Sequence, residues 1–323
     1  MDIFDHIRDG CHHVFDLATD VMIDPDAVYN ALDRIPILHN AEQAAEISPD
    51  PARKFRGSRK ETIEFVCLLN AVNFGSGYRD DLRQEGSLPP QGRFYSTLMS
   101  AFERYFTKHG MPETTWLRQI DLPQLEIIFD LSTDRAAARE LLSLFKFAWH
   151  DYASFLDDNF NGSALQMVET CAPSAADLVQ TLGHIQYYQD RHTYYGKEVP
   201  IYKRAQITAA DLHYALENHD PGFFSDINRL TAFADTALPQ LLSGLGVLCY
   251  STGLDARIKA GQPIESGSRE EIEIRAVTVT ACELMRELGA FERTMDLDCV
   301  LWQMAGQEEF ASLPRHITKS FYY

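Results

Sequence analysis

The amino-acid sequence predicts a mainly α-helical fold with few or no strands. Apolar residues recur at intervals of three and four positions through most of the 323 residues, which is the spacing of one helix face. The alternation of apolar and polar residues that is typical of strands does not persist beyond a few positions. Asp-Pro and Ser-x-x-Glu sequences, which often begin helices, precede two of the apolar stretches.

Local signals predict three helices in the first two thirds of the chain. An Asp-Pro pair predicts a helix over about residues 25–34. The strongly apolar stretch 136–156 predicts one long helix that is buried or half-buried. Thr208, followed by Asp211, predicts the cap of a helix over about 209–217.

The clearest predicted helix follows Ser268. Ser268 and Glu271 have the spacing of a capping box, and Gly289 is expected to end the helix. We expect this helix to cross the middle of the core, because its apolar side chains line one wide face. These side chains are Ile274, Val277, Ala281, Leu284, Met285 and Leu288.

We expect a single domain, because the chain contains no internal repeat, heptad run, low-complexity tract or long flexible linker. An N-terminal helical cap over residues 1–110 is the alternative. The six cysteines are scattered singly, without a Cys-x-x-Cys spacing. We therefore expect reduced thiols, most of them buried.

Charge and hydropathy limit the possible partners. The chain has 29 Lys and Arg against 47 Asp and Glu, a formal net charge of -18. Because so acidic a protein repels polyanions, we expect no binding to intact tRNA or DNA. The first ten residues, MDIFDHIRDG, contain no apolar signal region, and no run of 18 uncharged apolar residues occurs. These features predict a soluble, cytoplasmic protein that does not enter a membrane.

Common cofactor and hydrolase motifs are absent from the sequence. The two Gly-x-Gly segments, residues 75–77 and 244–246, lack the third glycine and the preceding strand of a dinucleotide-binding fold. No GxxxxGK, HExxH or GxSxG pattern occurs. Residues 244–246 have two remaining interpretations: a helix-hairpin-helix turn that binds phosphate, or a glycine cap that ends a helix over 237–243.

Two His-Asp pairs, His150-Asp151 and His219-Asp220, raise the hypothesis of a metal-dependent phosphohydrolase. Such dipeptides also arise by chance in a chain with 11 His and many Asp. His150 follows a Trp in an apolar stretch, which is typical of a histidine in or near the core. We therefore expect neither a metal ion nor an organic cofactor.

Several long, ordered segments carry a resemblance to a known family. From residue 202 onward they are YKRAQITAADL, FADTALPQLL, GVLCYSTGLDARI, GSREEIEIRA, LDCVLW and PRHITKSFYY, and LLNAVNFGSGY precedes them at 68–78. Together these segments resemble the queuosine salvage protein family, whose members look like queuosine 5'-phosphate N-glycosylases. The resemblance implies a helical fold similar to that of helix-hairpin-helix DNA glycosylases. It also implies hydrolysis of the bond between ribose and the 7-deazaguanine base, which releases queuine for tRNA modification.

Asp298 is the predicted catalytic carboxylate for this reaction. Cleavage of an N-glycosidic bond develops positive charge on the ribose, so the site needs an anionic group near C1'. Asp298 lies in LDCVLW, and we expect it at the N-terminus of the last helix, where the helix dipole favours an ionised carboxylate. A plain N-cap is the structural alternative. The neighbouring Asp296 is the second candidate for this role.

The resemblance places Asp235 in the substrate pocket. Its carboxylate can accept hydrogen bonds from the edge of a guanine-like base or bind the cationic arm of queuine; without the resemblance, Asp235 would be interpreted as a helix cap. Phe233 and Phe74 are candidates for stacking on the base. Trp302 follows Asp298 by four positions, on the same helix face, and is expected to line the pocket.

The basic residues inside the matching segments are the candidates for phosphate binding. They are Lys203, Arg204, His316 and Lys319, of which Lys203 is the strongest. Surface charge is the alternative for the two lysines, and a structural ion pair for Arg204. Where many family members have ADYRxPQ, this chain has ADTALPQ, and residues 317 and 319 are Ile and Lys where arginines are common. Bidentate hydrogen bonding of arginine to the phosphate is therefore reduced at these positions.

A helical module that binds a modified nucleoside or a protein partner without catalysis remains the alternative function.

Overall fold

The computed structural model describes residues 2–35, 55, 57–89, 93–216, 223–289 and 291–323. Within these ranges the chain forms sixteen α-helices and four short strands, which confirms the prediction of a mainly helical fold. The strands form two separate antiparallel pairs.

We number the helices in chain order. They are α1 (Ile3–Leu17), α2 (Pro25–Leu32), α3 (Arg59–Asn70), α4 (Arg79–Gln84), α5 (Phe94–His109), α6 (Thr114–Leu117), α7 (Leu122–Phe129), α8 (Ala136–Phe160), α9 (Ala164–Cys171), α10 (Ala175–Leu182), α11 (Lys203–Leu216), α12 (Ala237–Gly244), α13 (Thr252–Lys259), α14 (Arg269–Leu288), α15 (Thr294–Met304) and α16 (Glu308–Ala311). Three 3₁₀ turns, Ser76–Tyr78, Gln186–Tyr188 and Ile227–Arg229, complete the helical structure that is described.

The four strands are short. β1 (Val21–Ile23) pairs with β4 (Leu248–Tyr250), and β2 (Arg191–Tyr194) pairs with β3 (Lys197–Pro200). The second pair is a tight hairpin, in which Tyr195 and Gly196 both have positive φ, 44° and 81°. This backbone conformation matches the twist of the flanking strands.

The chain divides into two compact units. Unit 1 consists of Met1–Ser48, Asp190–Gln206 and Asn228–Lys319, and it contains all four strands. Its apolar core includes α12, α14 and α15, whose Leu241, Val277 and Leu297 side chains are completely buried. As predicted, α14 is central to this core, because it contacts α1, α2, α12 and α15.

Unit 2 consists of Pro49–Gln189, Ile207–Ile227 and Ser320–Tyr323. The long helix α8 packs against α7 and α9 in this unit. Aromatic rings fill the space beside it: the centroids of Phe129 and Phe145 are 4.8 Å apart, and those of Phe129 and Trp149 are 5.7 Å apart. The indole Nε1 of Trp149 donates a hydrogen bond to the carbonyl of Leu68 (3.1 Å).

Residue 110, the boundary of the predicted N-terminal cap, lies inside unit 2. Each unit is assembled from segments that are far apart in the sequence. The single domain therefore stays a prediction, and the division into units follows a pattern that the sequence analysis did not anticipate.

Two of the local helix predictions are confirmed with small changes in length. The Asp24 side chain accepts hydrogen bonds from the backbone N–H groups of Asp26 and Ala27, and Pro25 is the first residue of α2. The helix ends at Leu32 instead of residue 34. The helix predicted over 136–156 is α8, which continues to Phe160.

The predicted start of α11 is wrong. The helix begins at Lys203, and Thr208 and Asp211 are buried inside it. The Asp211 carboxylate instead accepts a hydrogen bond from Asn70 Nδ2 (3.0 Å), within unit 2. The Thr-x-x-Asp pattern misled because the group that caps this helix lies outside it: the Asp190 carboxylate accepts from the backbone N–H of Lys203 (3.0 Å).

The two ends of α14 were predicted correctly, and most of its predicted apolar face is buried. Ser268 Oγ accepts from the backbone N–H of Glu271 (3.3 Å), and Gly289 ends the helix. The Glu271 carboxylate bonds to the N–H of Gly267 (3.1 Å), so only half of the capping box forms. Leu288 is 43% exposed, whereas the charged side chains of Glu273 and Arg275 are fully buried. Residues 271–279 of this helix are therefore buried on every side.

The glycines at 244 and 246 end a helix. After α12, Gly246 adopts a positive φ of 81°, and its N–H donates to the carbonyl of Ser243 (3.0 Å). The N–H of Val247 donates to the carbonyl of Leu242 (2.8 Å), which completes a Schellman motif. Strand β4 follows, so the interpretation as a helix-hairpin-helix turn is wrong for these residues.

Two further observations bear on the sequence predictions. None of the six cysteines forms a disulfide, and five of them are buried, as predicted. Among the residues that the structure describes, no helix is both long enough and apolar enough to cross a membrane.

Candidate functional site

An irregular segment, residues 231–235, forms the centre of the candidate site in unit 1. Its first four residues are buried. Gln206, near the start of α11, holds its beginning: Oε1 accepts from the Thr231 N–H (2.9 Å) and Nε2 donates to Thr231 Oγ1 (2.9 Å). A buried segment without helix or strand partners needs such bonds for its backbone groups.

Asp298 holds the middle of this segment. Its Oδ2 accepts a hydrogen bond of 2.7 Å from the backbone N–H of Phe233, and the residue is only 6% exposed. The sequence predicted these two residues for the same site, and the structure brings them into direct contact.

Asp298 does not lie at a helix N-terminus, as we had expected. Helix α15 begins at Thr294, so Asp298 is its fifth residue, and the short α16 follows α15. The field of the helix dipole is strong only in the first turn. The Phe233 N–H, which comes from outside the helix, donates to the carboxylate and stabilises its charge.

Asp296, the second candidate, has a different partner. Both of its carboxylate oxygens bond to the guanidinium of Arg293, at 2.7 Å (Nε to Oδ2) and 2.9 Å (Nη2 to Oδ1). This bidentate ion pair fixes the start of α15. The geometry favours Asp298 over Asp296 as the carboxylate of the site.

Asp235 lies two residues after Phe233 and is half-buried. Its Oδ1 accepts from the backbone N–H of Ala237 (2.7 Å) and more weakly from that of Leu238 (3.4 Å), at the start of α12. The residue thus has the helix-capping role that the sequence alone suggested. The same carboxylate acts electrostatically on Lys203, which places its charge near the other predicted residues.

Lys203 is the first residue of α11 and is 5% exposed. Burial lowers the pKa of its ammonium group below the usual value, while the negative charges of Asp235 and Asp298 raise it. The charges of Asp235 and Asp298 therefore act on the Lys203 ammonium group. Surface charge, the alternative for Lys203, is therefore excluded by its burial.

Arg204 and His316 are also buried, at 1% exposure each. The charge of Arg204 lowers the pKa of its neighbour Lys203. Burial, together with the charge of Arg275, lowers the pKa of His316 to about 3. His316 is therefore a neutral imidazole at neutral pH, which can donate one N–H but brings no positive charge to a phosphate.

Three predicted residues lie in different surroundings. Lys319 is exposed, and Trp302 is half-buried on α15, where it packs against the apolar core of unit 1. Phe74 belongs to unit 2, where its ring contacts Phe145 edge to face, with centroids 5.1 Å apart. The stacking role of Phe74 and the pocket-lining role of Trp302 stay predictions.

The His-Asp pairs do not form a metal site in the described part of the chain. The imidazole Nε2 of His150 is 3.2 Å from the carbonyl of Ile120, and Asp151 accepts from the N–H of Tyr187 (3.1 Å). His219 and Asp220 lie outside the described residues. Across the ranges described, no three His, Cys, Asp or Glu side chains are arranged to hold a metal ion.

Two buried charges beside the site, Asp190 and Arg275, were not predicted from the sequence. Their side chains form a bidentate ion pair, and Arg275 Nε also donates to the carbonyl of Ala234 (3.1 Å). The sequence does contain one signal of such a pair: an arginine in the middle of the apolar helix α14 requires a partner of opposite charge. Asp190 had no comparable signal, because it precedes a short hairpin in a polar stretch.

Fold and site together define a class: a mainly helical protein with acidic and basic side chains buried around one irregular segment. A sequence model described as "Queuosine salvage protein" matches residues 53–323. This chain therefore belongs to the queuosine salvage protein family, as the sequence motifs indicated.

Curated relatives match almost the whole chain. A mouse protein is 29% identical over 98% of this chain and 98% of its own length. A protein of Sphaerobacter thermophilus is 29% identical over 96% of this chain and 95% of its own length. One of Dictyostelium discoideum is 38% identical over 51% of this chain and 53% of its own. All three are named queuosine 5'-phosphate N-glycosylase/hydrolase.

Proposed function

We propose that this chain hydrolyses the N-glycosidic bond of queuosine 5'-phosphate. The observation that carries the proposal is the match to relatives named for this activity, over nearly the full length of both chains. In the reaction the bond between ribose C1' and the base nitrogen breaks, and the electron pair leaves with the base. Water adds its oxygen to C1' and supplies the proton that the base takes up, so the products are queuine and ribose 5-phosphate.

We assign the central role to Asp298. The leaving base is a 7-deazaguanine, in which a carbon replaces the ring nitrogen that is usually protonated to assist departure. More of the barrier must then be lowered by stabilising the cationic ribose and positioning the water. A carboxylate that is buried and oriented by the Phe233 N–H suits either task, because it does not have to reorganise as the charge develops.

We assign recognition of the base to Asp235 and the aromatic residues. Asp235 is fixed by the N–H groups at the start of α12, and its carboxylate has the charge to pair with donors on the base edge or with the cationic arm of queuine. Phe233 and Trp302 are the candidates for packing on the flat ring.

We assign the phosphate mainly to Lys203. It is a buried lysine, and the charges of Asp235 and Asp298 act on its ammonium group, which favours a cation that serves the same site as these carboxylates. Arg204 is the second cation, His316 contributes at most an N–H donor, and Lys319 contributes a solvent-exposed charge. One mononucleotide needs only such a local group of cations, which is compatible with a net charge of -18. We expect no binding of intact nucleic acid.

The proposal is tested by product analysis with the purified chain. Queuosine 5'-phosphate is incubated with the protein in excess chelator, and chromatography follows free queuine, ribose 5-phosphate and inorganic phosphate. We expect queuine and ribose 5-phosphate in equal amounts, with no inorganic phosphate.

Two other outcomes would contradict the proposal. Binding of the nucleotide without release of the base indicates the non-catalytic module. Release of inorganic phosphate in a parallel reaction without chelator, absent when chelator is present, indicates a metal phosphohydrolase based on the His-Asp pairs.

A further inference from the structure

We infer that Asp190 and Arg275 are positioning residues for the glycosidase reaction, acting through the backbone segments that carry Lys203, Phe233 and Asp235. This inference rests on the proposed function. It concerns two residues that do not themselves have to contact the substrate.

The two side chains form one rigid unit. Arg275 Nη1 donates to Asp190 Oδ1 and Nη2 donates to Oδ2, each at 2.7 Å. Asp190 is 2% exposed and Arg275 is completely buried. Burial raises the pKa of the Asp190 carboxyl group, but the charge and hydrogen bonds of Arg275 outweigh this effect and hold the pKa well below its usual range. Both groups are therefore charged at neutral pH.

Asp190 fixes the start of α11. Its Oδ2 accepts from the Lys203 N–H (3.0 Å), and its backbone carbonyl accepts from the N–H groups of Ile201 (2.9 Å) and Tyr202 (3.1 Å). Tyr202 has a φ of 48°, in the left-handed region that non-glycine residues seldom adopt. Such a conformation persists only where surrounding bonds enforce it, and here Asp190 supplies them immediately before Lys203.

Arg275 fixes the segment that contains the other candidates. Its Nε donates to the carbonyl of Ala234 (3.1 Å), the residue between Phe233 and Asp235. The neighbouring N–H, that of Phe233, donates to Asp298. One ion pair thus connects the backbone beside Lys203 to the backbone beside the two aspartates.

Stability alone is a weak explanation for this pair. A buried ion pair contributes little more folding stability than apolar side chains of the same volume, because its charges lose their hydration on burial. Its bidentate geometry, however, sets distance and angle between the two segments more narrowly than apolar packing does. In enzymes, a displacement of about 1 Å by a residue remote from the chemistry can lower turnover about 100-fold.

Glu273 provides a matched control. It lies two residues before Arg275 on α14 and is also fully buried. Its Oε2 accepts from three successive backbone N–H groups, those of residues 19–21, and its Oε1 accepts from the Tyr194 hydroxyl (2.7 Å). Glu273 thus holds surrounding backbone and side-chain groups in place as Asp190 does. The groups that it holds belong to none of the segments that carry the candidate site residues.

The experiment compares three isosteric or near-isosteric variants, Asp190→Asn, Arg275→Lys and Glu273→Gln. For each variant, kcat and KM for queuosine 5'-phosphate are measured, together with the melting temperature. We expect kcat to fall by at least about tenfold in the first two, with KM changed less than about threefold. We expect the melting temperature of Glu273→Gln to fall by about as much as that of the other two variants. Its kcat, however, should stay within about twofold of that of the parent chain.

Several results would overturn the inference. One is a folded Asp190→Asn or Arg275→Lys variant with a kcat less than about tenfold below the parent. Another is an equal loss of kcat in Glu273→Gln, which would indicate a general effect of lost stability. If Asp190→Asn does not fold, the kcat of Arg275→Lys tests the inference, since this variant keeps the positive charge. If the parent chain releases no queuine, the result contradicts the proposed function as well as this inference. If the parent and the variants are all fully active, the result contradicts this inference alone.

Discussion

The aspartates of the candidate site share one feature at the scale of single residues: each is oriented by a backbone N–H group. Phe233 donates to Asp298, Ala237 to Asp235, and Lys203 to Asp190. Hydrogen bonds to an ionised carboxylate are shorter and stronger than those between neutral groups. The positions of these three charges therefore follow from the backbone, and a change in one carboxylate also changes the segment that it holds.

Lys203 gives the first residue-scale prediction. The substitution Lys203→Gln removes the buried positive charge that we assign to the phosphate. We expect kcat/KM for queuosine 5'-phosphate to fall by about 10- to 100-fold, the usual range for a lost hydrogen bond to a charged group. We also expect kcat itself to fall, because phosphate binding holds the ribose in its reactive position.

The matched control is Lys197→Gln on the exposed β2–β3 hairpin, which removes the same charge from the surface of unit 1. Its steady-state constants should stay within about twofold of the parent. If the two variants have equal constants, Lys203 does not bind the phosphate.

At the scale of single elements, the helices whose signals are local were predictable. Asp24 and Pro25 begin α2 by contacts with the next two residues, and Gly289 ends α14. The start of α11 was not predictable, because Asp190 supplies its cap from 13 positions upstream. Helix α15 begins at Arg293–Thr294 without a side-chain hydrogen bond to its first N–H groups, so the Asp of LDCVLW was mistaken for its start.

The buried charges of α14 show why sequence periodicity finds only part of a site. The period of the apolar residues correctly predicted a core helix, but it did not predict that Glu273 and Arg275 are buried. Their partners are backbone groups at 19–21 and the side chain of Asp190, which are remote in sequence. Periodicity carries no information about such partners, whereas the family motifs did indicate Lys203, Phe233 and Asp298.

At the scale of the whole molecule, burial of ionisable groups makes stability depend on pH. His316 has a folded-state pKa of about 3, against about 6.5 in the unfolded chain. Between these values the unfolded chain binds one more proton than the folded protein, so His316 lowers stability as the pH falls below 6.5.

This dependence gives a prediction for urea unfolding. Between pH 7 and pH 5 we expect the parent chain to lose about 2 kcal/mol more unfolding free energy than His316→Gln, whose amide does not titrate. The comparison with the variant removes the contribution of the other titrating groups. Parallel curves for the two proteins would mean that His316 is protonated equally in both states.

The central claim is that the carboxylate of Asp298 lowers the barrier to glycosidic cleavage. Asp298→Asn tests it most directly, because the amide oxygen can still accept the Phe233 N–H while the negative charge is lost. In single-turnover reactions with queuosine 5'-phosphate, we expect queuine release to slow by at least about 100-fold, the usual cost of removing one preorganised electrostatic group. The affinity for the nucleotide should remain within about tenfold, and Asp296→Asn should react within about threefold of the parent. Release of queuine by Asp298→Asn at the parent rate would contradict the account.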